Sequence, residues 1–294
     1  MYLSEKKMAD QAIPTIKQSN PLSNYFRQPK LYISLPSKGQ YYPEGALDVS
    51  ANGEYAVYAM TAKDELIMKT PDALMNGQAT VEVIKSCVPA IKEPWFMPSI
   101  DLDAVLIAMR VATYGANMDV SASCPSCNHD NEYELNLMNH LEKASSFEFN
   151  SSIEIPPLVI NIKPYNYQEV TKAAIKSLEQ QKLIGIVTDQ SLSEEEKLSR
   201  FGESFVALTK MTVDVVADSI DSIQTPEALV KDRNQIKEFI DNAPADIFNA
   251  INERLIEIKN SINLQAQDVK CGECGWEYSF ELTMDQTDFF GKGS

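Results

Sequence analysis

The chain has 294 residues, 44% hydrophobic and 23% charged, the proportions of an ordinary globular protein long enough for one large domain or two smaller ones. Its formal charge of −16, from 42 acidic against 26 basic residues, argues against partners that present phosphates, nucleic acid and anionic membrane surfaces alike. The start Met1-Tyr2-Leu3-Ser4-Glu5-Lys6-Lys7 lacks the apolar stretch of a secretory signal, and no run reaches the length of a membrane span. Four of the five cysteines fall in CxxC pairs, which fits a reducing compartment where thiols meet metal rather than one another.

From Met1 to about Asn24 the chain is polar and without periodicity, and reads as a flexible arm. Leu31-Tyr32-Ile33-Ser34-Leu35 alternates as a strand does and is then broken by Pro36, Gly39 and Pro43. Asn52-Gly53 is a hairpin-turn signal in front of a second strand, Glu54 to Tyr58. Thr61 is the expected N-cap of a helix with Asp64 and Glu65 in its first turn, where the helix dipole favours acids. Thr70-Pro71-Asp72-Ala73 opens another helix that Gly77 ends, and a third runs from about Ala79 to Cys87, with Cys87 a buried small hydrophobe. After a loop broken by Pro89, Pro94 and Pro98, Asp101 is expected to cap an amphipathic helix carrying Leu102, Val105, Leu106, Met109 and Ala112, with Gly115 as its stop. Asp64, Glu65, Asp101 and Asp103 could form an acid/base set, but all four stand at helix starts, which favours a structural reading.

Next comes Cys124-Pro125-Ser126-Cys127, entered through Val120 to Ser123 and left through Glu132 to Leu137. Short strands follow at Ile153 to Ile155 and Leu158 to Ile162, and Pro164 ends them. The next hundred residues read as helical, with helices near Gln168 to Leu183, Ser193 to Ser219, Pro226 to Asp241 and Pro244 to Asn263. The second carries Phe201, Phe205, Leu208, Thr212 and Val215 on one stripe, the last Ile247, Ile251, Leu255 and Ile258.

The chain then repeats its earlier pattern: Cys271-Gly272-Glu273-Cys274, entered through Gln267 to Lys270 and left through the alternating Trp276 to Leu282. CxxC lets the first and fourth residues of a tight turn aim both sulfurs at one ion, and a tetrahedral four-thiolate site needs two such knuckles. Cys124, Cys127, Cys271 and Cys274 therefore read as ligands of one structural Zn2+, in a zinc ribbon whose halves are separated by a long insertion. The competing readings are a disulfide within each pair, or unrelated thiols, neither of which accounts for the matching flanks. A thioredoxin-type centre would need a strand before and a helix start after the pair, and an iron–sulfur cluster, which uses the same ligands, stays open. With four cysteines in place no coordination position is left for catalysis. His129 could replace a cysteine but is expected to be exposed. Motifs for phosphate, dinucleotide or nucleophilic chemistry are absent, so no enzyme is expected.

The expected fold is α+β. Residues 1–24 are the arm; residues 25–150 form a mixed domain with the first knuckle; residues 151–263 form a mainly helical insertion; and residues 264–294 return the second knuckle to the first domain. A nucleic-acid-binding zinc ribbon of the transcription type is the main alternative. Asp119, Asp130, Glu132 and Glu134 near the first knuckle and Asp268, Glu273, Glu277 and Glu281 near the second argue against it by repelling phosphate.

Taken in order, Tyr32-Ile33-Ser34-Leu35-Pro36-Ser37-Lys38-Gly39, Tyr42-Pro43, Gly53-Glu54, Met60-Thr61-Ala62-Lys63-Asp64-Glu65, Ser86-Cys87-Val88-Pro89, Asp101-Leu102-Asp103, Thr113-Tyr114-Gly115 and the first knuckle form a pattern. It resembles the baseplate hub proteins of T-even-type contractile-tailed bacteriophages, and the last knuckle with Asp288-Phe289-Phe290 suits the same family. The resemblance implies a tail protein built into the hub or helping to assemble it, in the virion baseplate after assembly in the host cytoplasm. It implies other hub and tail proteins as partners, in a ring or a hetero-oligomer, and no enzymatic activity.

Overall fold

A computed structural model describes residues 20–70, 77–175, 193–261, 266–281 and 289–290. Strands Pro29–Ser34 (β1) and Glu54–Tyr58 (β2) pair antiparallel. Asn52-Gly53 does make a turn, with Gly53 at φ +74° and the Asn52 side chain accepting the Glu54 amide at 3.2 Å. That turn leads into β2 rather than joining two adjacent strands, because the whole segment from Leu35 to Gly53 lies between the partners. Helices Ala62–Met68, Gln78–Cys87, Ser99–Tyr114 and Leu137–Ser145 pack with this ribbon around one core, which includes Leu35, Val57, Ile84, Ile91, Ile107, Met109 and Leu137. Cys87 lies inside it, fully buried. The helix expected to open at Pro71 lies outside the described residues.

Thr61 caps the first helix as expected, in a reciprocal capping box with Asp64. Asp101 is not a cap. The helix starts at Ser99 behind Pro98, and Asp101 sits inside the first turn with its side chain turned into the core. There it accepts the Ser37 amide at 2.8 Å, the Ser37 hydroxyl at 2.6 Å and the Tyr42 hydroxyl at 2.9 Å. The Leu-Pro-Ser-Lys-Gly loop after β1 is thus fastened to the helix by a buried carboxylate. Gly115 ends the helix at φ +101°, as the sequence suggests.

The second core lies under a four-stranded antiparallel sheet, Ser152–Ile155 (β5), Leu158–Ile162 (β6), Ile220–Gln224 (β7) and Leu229–Val230 (β8), in that order. Helices Glu194–Asp218, Arg233–Asn242 and Ala245–Ser261 accompany it. The stretch after Pro164 is therefore not continuously helical. At Thr225 the side chain accepts the amides of Glu227 and Ala228, at 3.2 and 3.0 Å, and closes a turn between β7 and β8. Pro226 belongs to that turn and starts no helix; the next helix waits for Asp232, whose carboxylate accepts the Gln235 amide at 3.0 Å. Ser193 caps the long helix in a capping box with Glu196, while the side chains of Phe201, Phe205, Leu208 and Thr212 lie outside the described residues. The Ile251 and Ile258 stripe of the last helix is buried in this core with Ile160, Ile162 and Ile240.

The two cores meet at the start of the Ser99–Tyr114 helix. Ser99 donates to the Tyr165 carbonyl at 2.7 Å, Tyr167 donates to the Met97 carbonyl at 2.9 Å, and Trp95 stacks on Tyr167 with centroids 5.6 Å apart. Gly77 fits against this stack at φ +77°, where a Cβ would lie 3.1 Å from both Trp95 Cη2 and Tyr167 Oη. Gly77→Ala is expected to lower stability by about 2 kcal/mol, combining backbone strain with overpacking, as a urea titration would read. The C-terminal Phe289 and Phe290 return to the first core, where the Arg110 guanidinium lies 5.5 Å from the Phe289 ring centroid and Tyr114 donates to the Phe290 carbonyl at 3.0 Å. The chain is an α+β protein, as expected.

Candidate metal centre

Each knuckle is a turn carried by a β-hairpin, the first by Asn117–Ser123 (β3) and Asp130–Asn136 (β4), the second by Ala266–Lys270 (β9) and Glu277–Glu281 (β10). The two turns have the same internal geometry. The Cys124 amide donates to the His129 carbonyl at 2.9 Å and the Cys271 amide to the Trp276 carbonyl at 2.8 Å; the amides of Asn128 and Gly275 donate back to Cys124 and Cys271 at 2.8 and 3.0 Å. Both turns need a left-handed residue just after the second cysteine, supplied by Asn128 at φ +57° and Gly275 at φ +72°. A Cβ on Gly275 would meet nothing closer than Lys270 Cε at 3.7 Å. Gly275→Ala is accordingly expected to cost only the backbone term, about 1 kcal/mol, and Asn128→Gly close to nothing, measured by denaturant midpoint.

The fold brings the knuckles face to face across about half the chain. Cys124 Sγ lies 3.6 Å from Cys274 Sγ and Cys127 Sγ lies 3.7 Å from Cys271 Sγ, and all four sulfurs lie within 4.8 Å of one another. A tetrahedron with metal–sulfur bonds of about 2.3 Å has sulfur–sulfur edges of about 3.8 Å, so the spacing suits one tetrahedral ion. All four are free thiols, which excludes a disulfide within either pair in this structure. Cys124 and Cys271 are buried, Cys127 and Cys274 exposed. The four cysteines could hold a metal ion, and they form the one such cluster among the described residues. The Cys274 amide first, then the Glu273 amide and the Asn131 side chain, hold the Cys271 thiol down at about 6 despite its burial. Cys127 receives a backbone hydrogen bond from His129, yet its neighbours Cys274, Cys271 and Cys124 push it up to about 12. Four thiolates held this close would repel one another unless a cation sat among them.

Contacts around the sulfurs were not foreseen from the sequence. Asn131, buried beside the site, accepts the Gly272 amide at 2.9 Å and directs its amide nitrogen toward Cys271 Sγ at 3.6 Å. Tyr278 donates to the Ala122 carbonyl at 3.1 Å and meets the Tyr133 hydroxyl at 3.2 Å; Tyr133 in turn reaches the Lys270 carbonyl at 3.2 Å and stacks on Phe280. Each of these bonds joins one hairpin to the other. A signal did exist: Asn131 and Tyr278 occupy the same place, four residues past the second cysteine of their knuckles. His129 is exposed, and its side chain lies outside the sulfur cluster. His140 is buried and approaches Gln267 on β9, with Nε2 atoms 2.5 Å apart.

Of the acids considered for proton transfer, Asp64 and Asp101 have separate structural partners. Asp64 accepts the Thr61 amide and hydroxyl, both at 2.8 Å, and the Ser86 hydroxyl at 2.9 Å, with Arg27 at 3.4 Å. Asp101 holds the loop at Ser37, as described above. No helix among the described residues is long and apolar enough to cross a membrane.

No curated protein and no solved structure matches the chain. A family model described as T4 bacteriophage base plate protein matches residues 27–291, a span that contains both knuckles, both cores and the returning phenylalanines. The chain belongs to the T4 bacteriophage base plate protein family.

Proposed function

We propose that this protein is a structural or assembly component of the phage tail baseplate hub, acting through protein–protein contacts and held in shape by one structural zinc ion on Cys124, Cys127, Cys271 and Cys274. The observation that carries the metal reading is the sulfur spacing, 3.6 and 3.7 Å between facing knuckles. The family match carries the baseplate reading. Zinc suits the donor set because it accepts four thiolates tetrahedrally and needs no further ligand; an iron–sulfur cluster would use the same cysteines and add visible absorbance.

The proposed domain layout follows the metal. Residues 25–150 with 264–294 would form one unit closed by the ion, carrying residues 151–263 as an insertion and residues 1–24 as an arm. In this reading the chain has no catalytic role: the sulfurs leave no open metal position, and the buried carboxylates are consumed by structural hydrogen bonds. Its place is the virion tail, after assembly in the host cytoplasm, with hub and tail proteins as partners in a ring or hetero-oligomer. The acidic surface favours basic partners over nucleic acid. Co-expression with the other baseplate and tail proteins of the same phage tests the role. The expected result is co-purification of a stable complex with at least one of them, and association with none would remove the proposal.

A further inference from the structure

A centre of four thiolates concentrates like charge, and hydrogen-bond donors aimed at the sulfurs relieve it. Cys271 Sγ receives the amides of Cys274 and Glu273 from its own turn. A further donor comes from the other half of the chain: Asn131 Nδ2, 140 residues away in sequence, stands 3.6 Å from the same sulfur.

Asn131 lies on β4, is only 6% exposed, and has every polar atom engaged. Its Oδ1 accepts the Gly272 amide at 2.9 Å, beside Cys271 in the second knuckle. Its Nδ2 donates to the His129 carbonyl at 3.0 Å, the same carbonyl that accepts the Cys124 amide in the first knuckle. One buried carboxamide thus ties the two turns together and reaches a sulfur. These partners fix its orientation as well. Turning the carboxamide over would set its oxygen against the His129 carbonyl and the Cys271 sulfur, and its NH2 group against the Gly272 amide. The corresponding residue of the second hairpin, Tyr278, spends its hydroxyl proton on the Ala122 carbonyl instead, so the arrangement is one-sided.

We infer that Asn131 is a positioning residue for the metal: it holds Cys271 Sγ toward the ion, disperses part of that thiolate's charge, and so sets the affinity of the centre from outside the four ligands. The inference rests on the metal reading of the cysteine cluster given above. Hydrogen-bond partners of metal ligands are typically worth about 10- to 100-fold in affinity.

Competition between a calibrated chelator and the full, reduced chain, with Zn2+ and with Co2+ as a coloured substitute, tests it. Asn131→Ala is expected to weaken both metals about 10- to 100-fold and to move the sulfur-to-cobalt charge-transfer band, while all four sulfurs still bind. Asn131→Asp keeps an oxygen for the Gly272 amide, removes the donor and places a carboxylate beside the thiolates. It should weaken binding at least as much, and it serves as the variant of record if the alanine form does not stay folded. Tyr133→Phe is the control, since it removes contacts between the hairpins without touching a sulfur. Whatever stability it loses, its cobalt band should stay in the native position. Native affinity and an unmoved band in both Asn131 variants, or a band displaced equally by Tyr133→Phe, would overturn this inference and leave the metal reading standing. A native chain that takes up neither metal would overturn both.

Discussion

Cys274→Ser is expected to destabilise the protein as severely as Cys271→Ser, although Cys274 is exposed and Cys271 buried. Without a metal the two substitutions would differ. An exposed cysteine replaced by its oxygen isostere changes stability by about 0.5 kcal/mol or less, whereas the buried one loses packing and its amide hydrogen bonds. With a metal, either change removes one of four ligands and opens the staple that joins the two hairpins. Structural zinc contributes on the order of 10 kcal/mol in small peptides, so several kcal/mol of apparent stability should vanish in both cases. Cys124→Ser and Cys127→Ser should behave alike, and Cys87→Ser should not, because Cys87 lies in the first core away from the cluster. A strong chelator should reproduce the loss in the native chain and leave the four ligand variants unchanged. Thermal melts of the five variants with and without chelator provide the check; a graded effect that follows burial would point to packing.

Asp101→Ala should cost about 3 kcal/mol or more. The carboxylate is fully buried and accepts three hydrogen bonds, so its removal strands the Ser37 amide, the Ser37 hydroxyl and the Tyr42 hydroxyl in the core. The subtler test is Asp101→Asn across pH. Burial raises the Asp101 carboxyl from 3.8 to about 6, even though Ser37, Tyr42 and Lys38 all pull the other way. The folded state therefore binds this proton more tightly than the unfolded chain does. Its ionisation opposes folding above about pH 6, and that penalty is relieved as pH falls through 6 toward 3.8. Asparagine cannot ionise, so the stability advantage of the native residue over Asp101→Asn should grow between pH 6 and pH 4, by up to about 3 kcal/mol. Paired urea titrations remove the contribution of the other carboxylates, which both proteins share. A difference independent of pH would mean that Asp101 keeps an ordinary affinity for its proton in the fold.

The four-cysteine cluster was legible in the sequence because it depends on local chemistry. CxxC fixes two sulfurs within one turn, and matching flanks identify two hairpins of the same kind. Asn131, Tyr133 and Tyr278 were missed because their value is in contacts between hairpins nearly 150 residues apart, which no local pattern records. The same distinction runs through the fold. Thr61, Ser193 and Gly115 were identified as boundaries because capping chemistry acts within one turn. Asp101 has the same local look as a cap, but a core partner 64 residues away, Ser37, decides where its side chain points. Ile220 to Gln224 falls between two expected helices, Ser193 to Ser219 and Pro226 to Asp241; its pairing with β6, about sixty residues away, makes it a strand. Pro226 was expected to start a helix and does not, for a physical reason: proline suits both the first position of a helix and a tight turn, and here the Thr225 hydroxyl selects the turn.

Metal analysis of the chain purified without chelator and with its thiols kept reduced, coupled to sulfur-ligand counting by X-ray absorption, tests the central claim most directly. One zinc per chain with four sulfur ligands is the expected result, and it would tie both ends of the chain to a single ion. Iron with visible absorbance would replace zinc by a cluster on the same cysteines. A chain that folds with no bound metal, or keeps its metal after Cys124→Ser and Cys271→Ser together, would contradict the claim that one ion joins the two knuckles.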